Sequence, residues 1–386
     1  MKSKALARAF LASSIALAAA SCGPPQDDES AVGTAEQSLS SDPRLDELQA
    51  HPPHRVHGNA TAAPTGLSPA GIRAVYGLPS SGGTGTIAII DAYDAPTIES
   101  DLAVFSSQYG LPVCTTANGC FEKHRMGPRI SSDSGWALET SLDVEWAHAI
   151  APDARILLVE ARSNSLTNLL AAVDYARSRA DVVAISMSWG SSEFSSEASY
   201  DAYFTSAYGA AFFASSGDNG TGASWPAASP NVVAVGGTSL AFNPDGSLAS
   251  ETAWSGSGGG ISAYQPLPSW QAALGLAYAG RAIPDVSYDA DPASGFSVYD
   301  STRYQGQKGW FRVGGTSAGA PQWAAIQALG LTCSNAHFYQ DAAGPSASTY
   351  FRDVTSGTNG ACGANCTAGA GYDLVTGVGS PLTTGF

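Results

Sequence analysis

The chain has 386 residues, of which 44% are hydrophobic and only 13% charged, and its formal net charge is -15. This length suits one large domain or two smaller ones, with an ample core in either case. The acidic balance argues against nucleic acid and anionic membranes as partners, because both repel a negative surface. It suits a protein that works in acid, although solubility alone explains the charge equally well.

The N-terminus has the pattern of a secretion signal, with a basic start followed by an apolar stretch at residues 5–20. An A-x-A cleavage site ends at Ala20, so residues 1–20 are predicted to be a signal peptide. Cys22 gives an alternative, a lipid-anchored protein, although Ala19 stands where a lipid-attachment motif usually has leucine. Either reading predicts export, to the medium or the cell surface. No other stretch is apolar and long enough to predict a transmembrane segment.

Residues 21–63 are rich in Ser, Pro, Asp and Ala and show no periodicity. This composition predicts a linker or short leader before a catalytic domain at residues 64–386. The motif HPPHRVH at residues 51–57 contains three of the six histidines. Such a motif can bind metal, but in a proline-rich stretch we interpret it as linker.

Beyond this segment, runs rich in valine and isoleucine alternate with helical stretches. The runs lack alternation of polar and apolar residues, which is typical of strands buried on both faces. The predicted strands are residues 86–92, 155–161, 181–188, 210–216 and 231–237. The predicted helices are residues 95–109, 136–150, 166–179 and 200–208. This alternation predicts an α/β fold with a doubly wound, mostly parallel sheet, and an active site beyond the carboxyl ends of its strands.

Six cysteines in an exported protein are expected to form disulfides for the most part. Cys114 and Cys120 bracket a short polar loop and are the expected bridge. Cys333 is expected to pair with Cys362 or Cys366, which would leave one thiol free. Zinc is disfavoured, because CxxC spacing is missing and no histidine lies near the last two cysteines in sequence.

Ser317 lies on a glycine-rich turn, GGTSAGAP at residues 314–321, at the start of a predicted helix. Pro321 falls in the first turn of that helix, where its missing N–H costs little. The free backbone N–H groups and partial positive charge of a helix N-terminus favour a developing oxyanion. An N-cap serine is the structural alternative. The small residues on both sides favour an accessible nucleophile.

Glu139 is the best candidate for the base that a serine nucleophile needs, because no histidine stands at a helix start of the HGT type. Asp143 lies one helical turn on, where it can orient Glu139 and share its proton. Two close carboxyls titrate as a coupled pair with one pKa raised, which suits a base working in acid. A solvated helix face is the alternative, but the surrounding apolar residues predict a buried helix whose charges need a reason.

Asp218 follows a predicted buried strand in the sequence SSGDNG at residues 215–220. A protonated carboxyl there can donate a hydrogen bond to an oxyanion, together with the N–H of Ser317. Without the other motifs, this sequence indicates only a turn.

Together these motifs resemble the sedolisins, serine-carboxyl peptidases with a subtilisin-like fold. The resemblance runs from about residue 67 to the end and rests on E-x-x-x-D, S-G-D and G-T-S-x-x-x-P in that order. It implies one subtilisin-like catalytic domain with Ser317 as nucleophile, Glu139 as base and then acid, Asp143 as its partner and Asp218 as oxyanion donor. By the same similarity the substrate cleft is bordered by Ser188, Trp189 and Gly190. Subtilisins place a catalytic aspartate near Asp91 and Asp94, but without the histidine these acids give no subtilisin triad.

The resemblance also implies one calcium ion near the C-terminus, because the family binds calcium through D-[VI] followed by G-x-G-x-D. The implied ligands are Asp353, Val354, Gly369, Gly371 and Asp373. Carboxylates and backbone carbonyls are the hard oxygen donors that calcium prefers. The residues alone favour a flexible loop here.

The function implied is an exported, calcium-stabilised endopeptidase, expected to be a monomer that cleaves proteins or peptides in acid through an acyl-enzyme. The alternatives are an exopeptidase of the tripeptidyl type, a catalytically silent binding protein and, least favoured, a neutral protease that uses His124 or His148. Sedolisins commonly carry a large folded prodomain, and the roughly 40 residues after the signal are too few for one. We therefore expect that the domain folds unaided or that activity is controlled in another way.

Overall fold

A central eight-stranded sheet organises the structure, a computed structural model that describes residues 43–382. The predicted signal peptide and Cys22 lie outside the described residues. No helix within residues 43–382 combines the length and the apolar character that crossing a membrane requires.

The helices and strands are numbered in chain order. The α-helices are α1 (Pro43–Glu47), α2 (Pro69–Tyr76), α3 (Ile98–Tyr109), α4 (Ser134–Ile150), α5 (Leu166–Arg177), α6 (Ser269–Ala273), α7 (Gly319–Ala328), α8 (Asn335–Ala343) and α9 (Ala347–Tyr350). The strands are β1 (Arg55–Val56), β2 (Thr86–Ala92), β3 (Phe121–Arg125), β4 (Arg155–Ala161), β5 (Val182–Met187), β6 (Ser191–Ser192), β7 (Ala211–Ser215), β8 (Ser224–Trp225), β9 (Val233–Phe242), β10 (Leu248–Ala253), β11 (Gly260–Ile261), β12 (Ala282–Ile283), β13 (Val286–Asp289), β14 (Phe296–Tyr304), β15 (Gln307–Gly314), β16 (Phe351–Arg352) and β17 (Ser380–Pro381).

The sheet has the strand order β10-β9-β7-β5-β2-β4-β3, and β13 pairs with β9. All neighbours are parallel except β10 and β9. The central strand β2 is buried along its whole length, as its unbroken run of apolar residues requires. These features confirm the predicted α/β class with a mostly parallel sheet in a single domain.

The predicted elements of the sheet layer agree closely with the structure. The strands at 86–92 and 155–161 coincide with β2 and β4. The helix predicted at 200–208 is instead a 3-10 helix, Glu197–Phe204. The hairpin of β14 and β15 was not predicted, and it packs over α4, where the Trp146 indole donates to the carbonyl of Ser297 at 2.9 Å. Helix α4 therefore lies between the sheet and this hairpin, and nearly all of its residues are buried, the acids among them included.

The cysteines pair differently from expectation at one position. The Cys114–Cys120 disulfide is confirmed. The prediction that Cys333 pairs with Cys362 or Cys366 is wrong, because those two cysteines bond to each other. Cys333 is a free thiol buried in the main hydrophobic core, whereas Cys362 lies exposed on a loop.

The second part of the predicted linker packs against the domain. Leu45 in α1 is fully buried, and the N–H of Ala50 donates to the carbonyl of Asn164 at 2.8 Å. Further on, β1 pairs with β15 in antiparallel register. The domain boundary at residue 63 remains a prediction, but the chain from residue 43 already follows the surface of the domain.

Candidate active site

Helix α4 carries Glu139 and Asp143 into the interior. Its N-terminus is capped by Asp133, whose carboxylate accepts from the N–H groups of Gly135 and Trp136. Both acids are fully buried, one helical turn apart. A buried carboxyl without a cationic partner is costly in its charged form, so this pair must hold protons or find donors.

Asp91, at the end of β2, joins this pair as a third buried carboxyl. Burial raises the pKa of Asp91 well above its usual range, and the charge of Glu139 raises it further. Burial likewise raises the pKa of Asp143, with added contributions from Asp91 and Glu139. Neighbouring buried acids oppose each other's ionisation, so the raised pKa values favour the protonated forms of Asp91 and Asp143. The sequence located Asp91 but gave it no role. The signal was an acid ending a completely apolar strand.

Ser317 follows the hairpin, in a short 3-10 turn (Thr316–Ala318) that leads into α7. The turn begins at Gly315, whose φ of 113° is strained for other residues. A Cβ at Gly315 would collide with the carbonyl oxygen of Pro53 and lie 2.6 Å from Asp218 Oδ2. The glycine therefore lets two groups approach the serine. Ser317 is buried, and its hydroxyl makes no hydrogen bond with any described residue.

Asp218 lies directly after β7, beyond the carboxyl end of that strand, as expected for an active-site residue of an α/β sheet. Its Oδ1 accepts from the N–H of Thr316 at 2.8 Å and from the Thr316 hydroxyl at 3.0 Å. Burial raises the pKa of Asp218 to about 7 despite these bonds. The carboxyl is therefore protonated in acid, next to Ser317, where it can act as a hydrogen-bond donor.

A histidine from the predicted linker enters this site. The Nδ1 of His54 lies 2.5 Å from Glu139 Oε2, and the His54 side chain is only 6% exposed. Burial opposes the charge of His54, but the hydrogen bond and charge of Glu139 leave its pKa raised. Reading HPPHRVH as linker missed this contact. His54 and Glu139 are 85 positions apart in the chain, and no local motif joins them.

The cleft beside these residues has a volume of about 720 Å³. Residues 190–192 and 216–224 form its walls with part of the 49–55 segment. Of the three residues expected to border the cleft, Gly190 lines it. Ser188 and Trp189 are fully buried behind the wall, where the Trp189 indole donates to the carbonyl of Ile90 at 2.9 Å.

Neither of the alternative histidines contacts Ser317. His148, at the far end of α4, lies 2.9 Å from the carbonyl of Pro112 through Nε2. His124, on the edge strand β3, stacks on the Tyr175 ring at 3.8 Å. A histidine-based mechanism through either residue lacks geometric support.

The residues expected to bind calcium converge on one loop near the C-terminus. The N–H of Gly371 donates to Asp353 Oδ2 at 2.9 Å, and the N–H of Gly369 donates to Asp373 Oδ2 at 3.0 Å. Two carboxylates thus flank the loop. Within residues 43–382, no backbone N–H donates to the carbonyl of Val354, Gly369 or Gly371. The donor set is all oxygen, as calcium requires, and these carbonyls are free to turn toward a cation.

Comparisons with known proteins find similarity to several peptidases. The model of the subtilase family matches residues 114–343. The chain is 29% identical to sedolisin of Pseudomonas sp. (strain 101), over 86% of this chain and 63% of that protein. It is 32% identical to kumamolisin of Bacillus sp. (strain MN-32), over 83% of this chain and 63% of that protein. The chain therefore spans a little less than two thirds of these relatives.

A solved structure of Pseudomonas sedolisin, described as a serine-carboxyl proteinase complexed with two molecules of pseudo-iodotyrostatin, superposes with a TM-score of 0.71 at 29% identity. The match covers 85% of this chain and 97% of that one. A psychrophilic protease, S41, has a TM-score of 0.56 at 20% identity and covers 83% of this chain and all of that one. That second likeness concerns the fold alone.

Proposed function

Because this chain belongs to the subtilase family and resembles the sedolisins within that fold, we propose that it is an exported serine-carboxyl endopeptidase that cleaves proteins in acid. One observation carries the proposal. The N–H of Thr316, the neighbour of Ser317, donates to Asp218, and the base candidate Glu139 contacts His54, which lines the same cleft as Asp218. The carboxyl-based reading is favoured because neither His124 nor His148 contacts the serine.

In the proposed reaction Glu139 is the general base. It takes the proton of the Ser317 hydroxyl as the oxygen attacks the peptide carbonyl, and it then gives that proton to the leaving amine. A protonated Asp143 donates to Glu139 and keeps it oriented. Water then hydrolyses the acyl-enzyme with Glu139 again as base. The two steps in which Glu139 acts as base need it ionised, and it is protonated in between, when it gives the proton to the leaving amine. Asp143 stays neutral throughout, which its raised pKa supports.

Asp218 is the proposed oxyanion donor. Its Oδ1 is held by Thr316, so its protonated carboxyl can donate to the negative oxygen of the tetrahedral intermediate. Since the pKa of Asp218 is raised to about 7, this donor is present in acid and is lost above neutral pH. The proposal therefore includes a rate that falls as the pH rises through about 7.

One calcium ion belongs to the same proposal. Asp353, Asp373 and the carbonyls of Val354, Gly369 and Gly371 would hold it, and it would neutralise the two carboxylates that flank this loop. The ion would tie the C-terminal loop to the domain, and it takes no part in the chemistry of Ser317.

The test is a pH–rate profile for cleavage of a denatured protein between pH 3 and 8. We expect a maximum in acid, and loss of activity in both Ser317→Ala and Glu139→Gln. His124→Gln serves as control and should keep the wild-type profile. Mass spectrometry of the products distinguishes an endopeptidase from an exopeptidase. An endopeptidase releases internal fragments, whereas an exopeptidase of the tripeptidyl type releases only N-terminal tripeptides. Absence of cleavage by the wild type at every pH would favour a binding protein.

A further inference from the structure

Two cysteines and a histidine meet beside the C-terminal end of helix α4. Cys114 and Cys120 form a disulfide, and His148 lies in the last turn of the helix. The two sulfur atoms and one ring nitrogen of His148 all lie within 4.8 Å of one another. Among residues 43–382, no other three histidine, cysteine, aspartate or glutamate side chains bring their ligand atoms so close together. The fold thus adds a third metal-binding side chain to a pair of cysteines that is distant from it in sequence.

The ring of His148 is held in one tautomer. Its Nε2 lies 2.9 Å from the carbonyl oxygen of Pro112, and because a carbonyl only accepts, Nε2 carries the proton. Burial lowers the pKa of His148, so the ring is neutral and Nδ1 keeps its lone pair. Nδ1 is buried and has no hydrogen-bond partner among the described residues. A histidine that donates to a backbone carbonyl from one nitrogen and leaves the other free has the orientation of a metal ligand.

The loop between the two cysteines is held by hydrogen bonds that do not need the bridge. The Asn118 side chain accepts from the N–H groups of Thr115 and Cys120, at 3.1 and 3.0 Å. It also donates to the carbonyl of Val113 at 2.7 Å. The N–H of Ile156 donates to the carbonyl of Cys120 at 2.8 Å, which ties the second cysteine to β4. Opening the bridge should therefore leave both sulfur atoms beside the histidine.

Two thiolates and a neutral imidazole are a ligand set that suits zinc. Sulfur ligands select soft or borderline cations, whereas calcium and magnesium prefer oxygen. The two thiolates cancel the charge of a divalent cation, so the complex adds no net charge to a largely buried place. Cys120 is partly exposed, which gives the ion a route in and leaves a fourth position for water.

We propose that Cys114, Cys120 and His148 form a binding site for a zinc-like divalent cation, which the disulfide closes and reduction opens. A phosphine reductant supplies two electrons to the bridge. One water molecule supplies two protons to the sulfur atoms and its oxygen to the phosphine, which leaves as the oxide. The cation then displaces the two thiol protons and binds both sulfur atoms and Nδ1 of His148. Bound metal would tie the cysteine loop to α4, which the bridge alone does not do.

The state with two thiols is also the one that precedes formation of the bridge. The proposed site is therefore open in a newly made chain and closed once the protein is in an oxidising compartment. This inference does not depend on the proposed peptidase function, and none of its tests measures proteolysis.

Titration with Co²⁺ tests the site, because thiolate bound to cobalt absorbs in the near ultraviolet and tetrahedral cobalt absorbs in the visible. The full chain is reduced with a phosphine, freed of it without air, and titrated in buffer that contains calcium. We expect one Co²⁺ per chain with both absorptions, and Zn²⁺ should displace it. The oxidised protein should show neither. The proposed calcium loop offers only oxygen ligands, so Co²⁺ bound there gives no thiolate band.

His148→Gln and Cys114→Ser each remove one ligand, and Cys362→Ser is the matched control, because it removes one sulfur atom of the other disulfide. Glutamine retains an N–H for the carbonyl of Pro112. Both ligand variants should bind Co²⁺ at least about tenfold more weakly than the reduced wild type, and Cys362→Ser should bind it equally well. Equal affinity of His148→Gln and the wild type would overturn the inference, as would loss of binding in Cys362→Ser.

Alkylation provides an internal control within one sample. With free Zn²⁺ at ten times its Kd, only the unbound fraction reacts, so iodoacetamide should modify Cys114 and Cys120 of the reduced protein about tenfold more slowly. Cys362 and Cys366 should react at the rate seen without Zn²⁺. Peptide mass mapping follows the two pairs separately. Equal protection of both pairs, or protection of neither, would contradict the proposed ligands.

Thermal unfolding covers the case in which reduction loosens the fold. Zn²⁺ binds the assembled site, so it should raise the unfolding midpoint of the reduced wild type. It should leave the midpoints of the oxidised protein and of reduced His148→Gln unchanged, with calcium present throughout. If the reduced chain shows no cooperative transition alone, Zn²⁺ should restore one. A reduced wild type with neither a shifted nor a restored transition would rule the site out.

Discussion

Two regions of this molecule bury charge in opposite ways. Around the Arg281–Asp285 pair every charged atom has a partner: the guanidinium contacts both carboxylate oxygens, at 2.9 and 2.6 Å, and also donates to backbone carbonyls. Around Glu139 and Asp143, equally buried, three of the four carboxyl oxygens have no hydrogen-bond partner among residues 43–382. The first region is satisfied and holds the structure together. In the second, only the Glu139 oxygen that contacts His54 has a partner, and this region is expected to do chemistry.

The difference shows how a fold can keep a reactive acid. A buried ion pair is tolerable when each group is neutralised and hydrogen-bonded, and it then resists change. Unpaired carboxyls lower their cost by holding protons, as the raised pKa of Asp143 indicates. A proton held in this way is available for transfer.

The largest effect is expected from Arg281→Met. Removing the guanidinium leaves Asp285 buried without its counter-ion, which should cost about 3 to 5 kcal/mol of unfolding free energy. Urea unfolding at neutral pH measures this loss. The control is Arg179→Met, at a partly exposed pair with Asp181, which should cost less than about 1 kcal/mol. Equal losses in the two variants would contradict the contrast between the buried and the exposed pair.

The next largest effect is expected in the pH dependence of the unfolding free energy, through Asp300, a buried acid outside the candidate active site. Burial, together with nearby Asp101, raises the pKa of Asp300 to about 7, whereas the unfolded chain ionises it near the ordinary value. The folded state therefore binds more protons above about pH 4, and stability falls as the pH rises from about 4 to 7, by up to about 1.4 kcal/mol per unit. Asp300→Asn keeps the acceptor for the N–H of Thr302 and should flatten this slope, recovering about 2 kcal/mol at pH 7.

Unfolding midpoints measured from pH 4 to 8 test this expectation. Asp245→Asn is the control, since that acid lies on an exposed turn and should leave the slope unchanged. If the unfolding free energy of the wild type rose between pH 4 and 7, the destabilisation ascribed to ionising buried acids such as Asp300 would be contradicted.

The sequence predicted the sheet layer better than the site. The strands β2 and β4 were recognisable to the residue, because strands buried on both faces are apolar throughout. The hairpin of β14 and β15 was not, since it mixes polar and apolar residues without strict alternation. Motifs indicated Ser317 and Glu139 as candidates, because glycine-rich turns and paired acids on a buried helix leave a local signature.

The contact between His54 and Glu139 had no such signature. It joins residues 85 positions apart, and a proline-rich stretch is extended whether it is a free linker or a strand lying in a cleft. The pairing of Cys362 with Cys366 was missed for a related reason. Spacing alone does not tell which cysteine is enclosed in the core, and Cys333 is.

The third prediction concerns the proposed calcium loop. If the ion binds only the folded chain, calcium at ten times its Kd adds about 1.4 kcal/mol of stability. A chelator should lower the midpoint of thermal unfolding accordingly. Asp353→Asn should remove this sensitivity, because it takes one charge from the donor set, whereas Asp245→Asn should retain it. An unchanged midpoint on adding chelator to the wild type would rule out a stabilising calcium ion.

The smallest effect on stability is expected where the effect on activity is large. Asp143→Asn replaces a neutral, protonated carboxyl by a neutral amide of the same shape, so the unfolding free energy should change by less than about 1 kcal/mol in acid. The amide cannot share a proton with Glu139, and kcat should fall roughly a hundredfold. Urea unfolding and kcat, measured on the same preparation, test the small change in stability and the large loss of activity together. Arg281→Met should give the reverse pattern, a large loss of stability with kcat retained by the fraction that stays folded. A large loss of stability in Asp143→Asn would mean that this acid, like Asp285, supports the fold, and the distinction between the two buried regions would then fail.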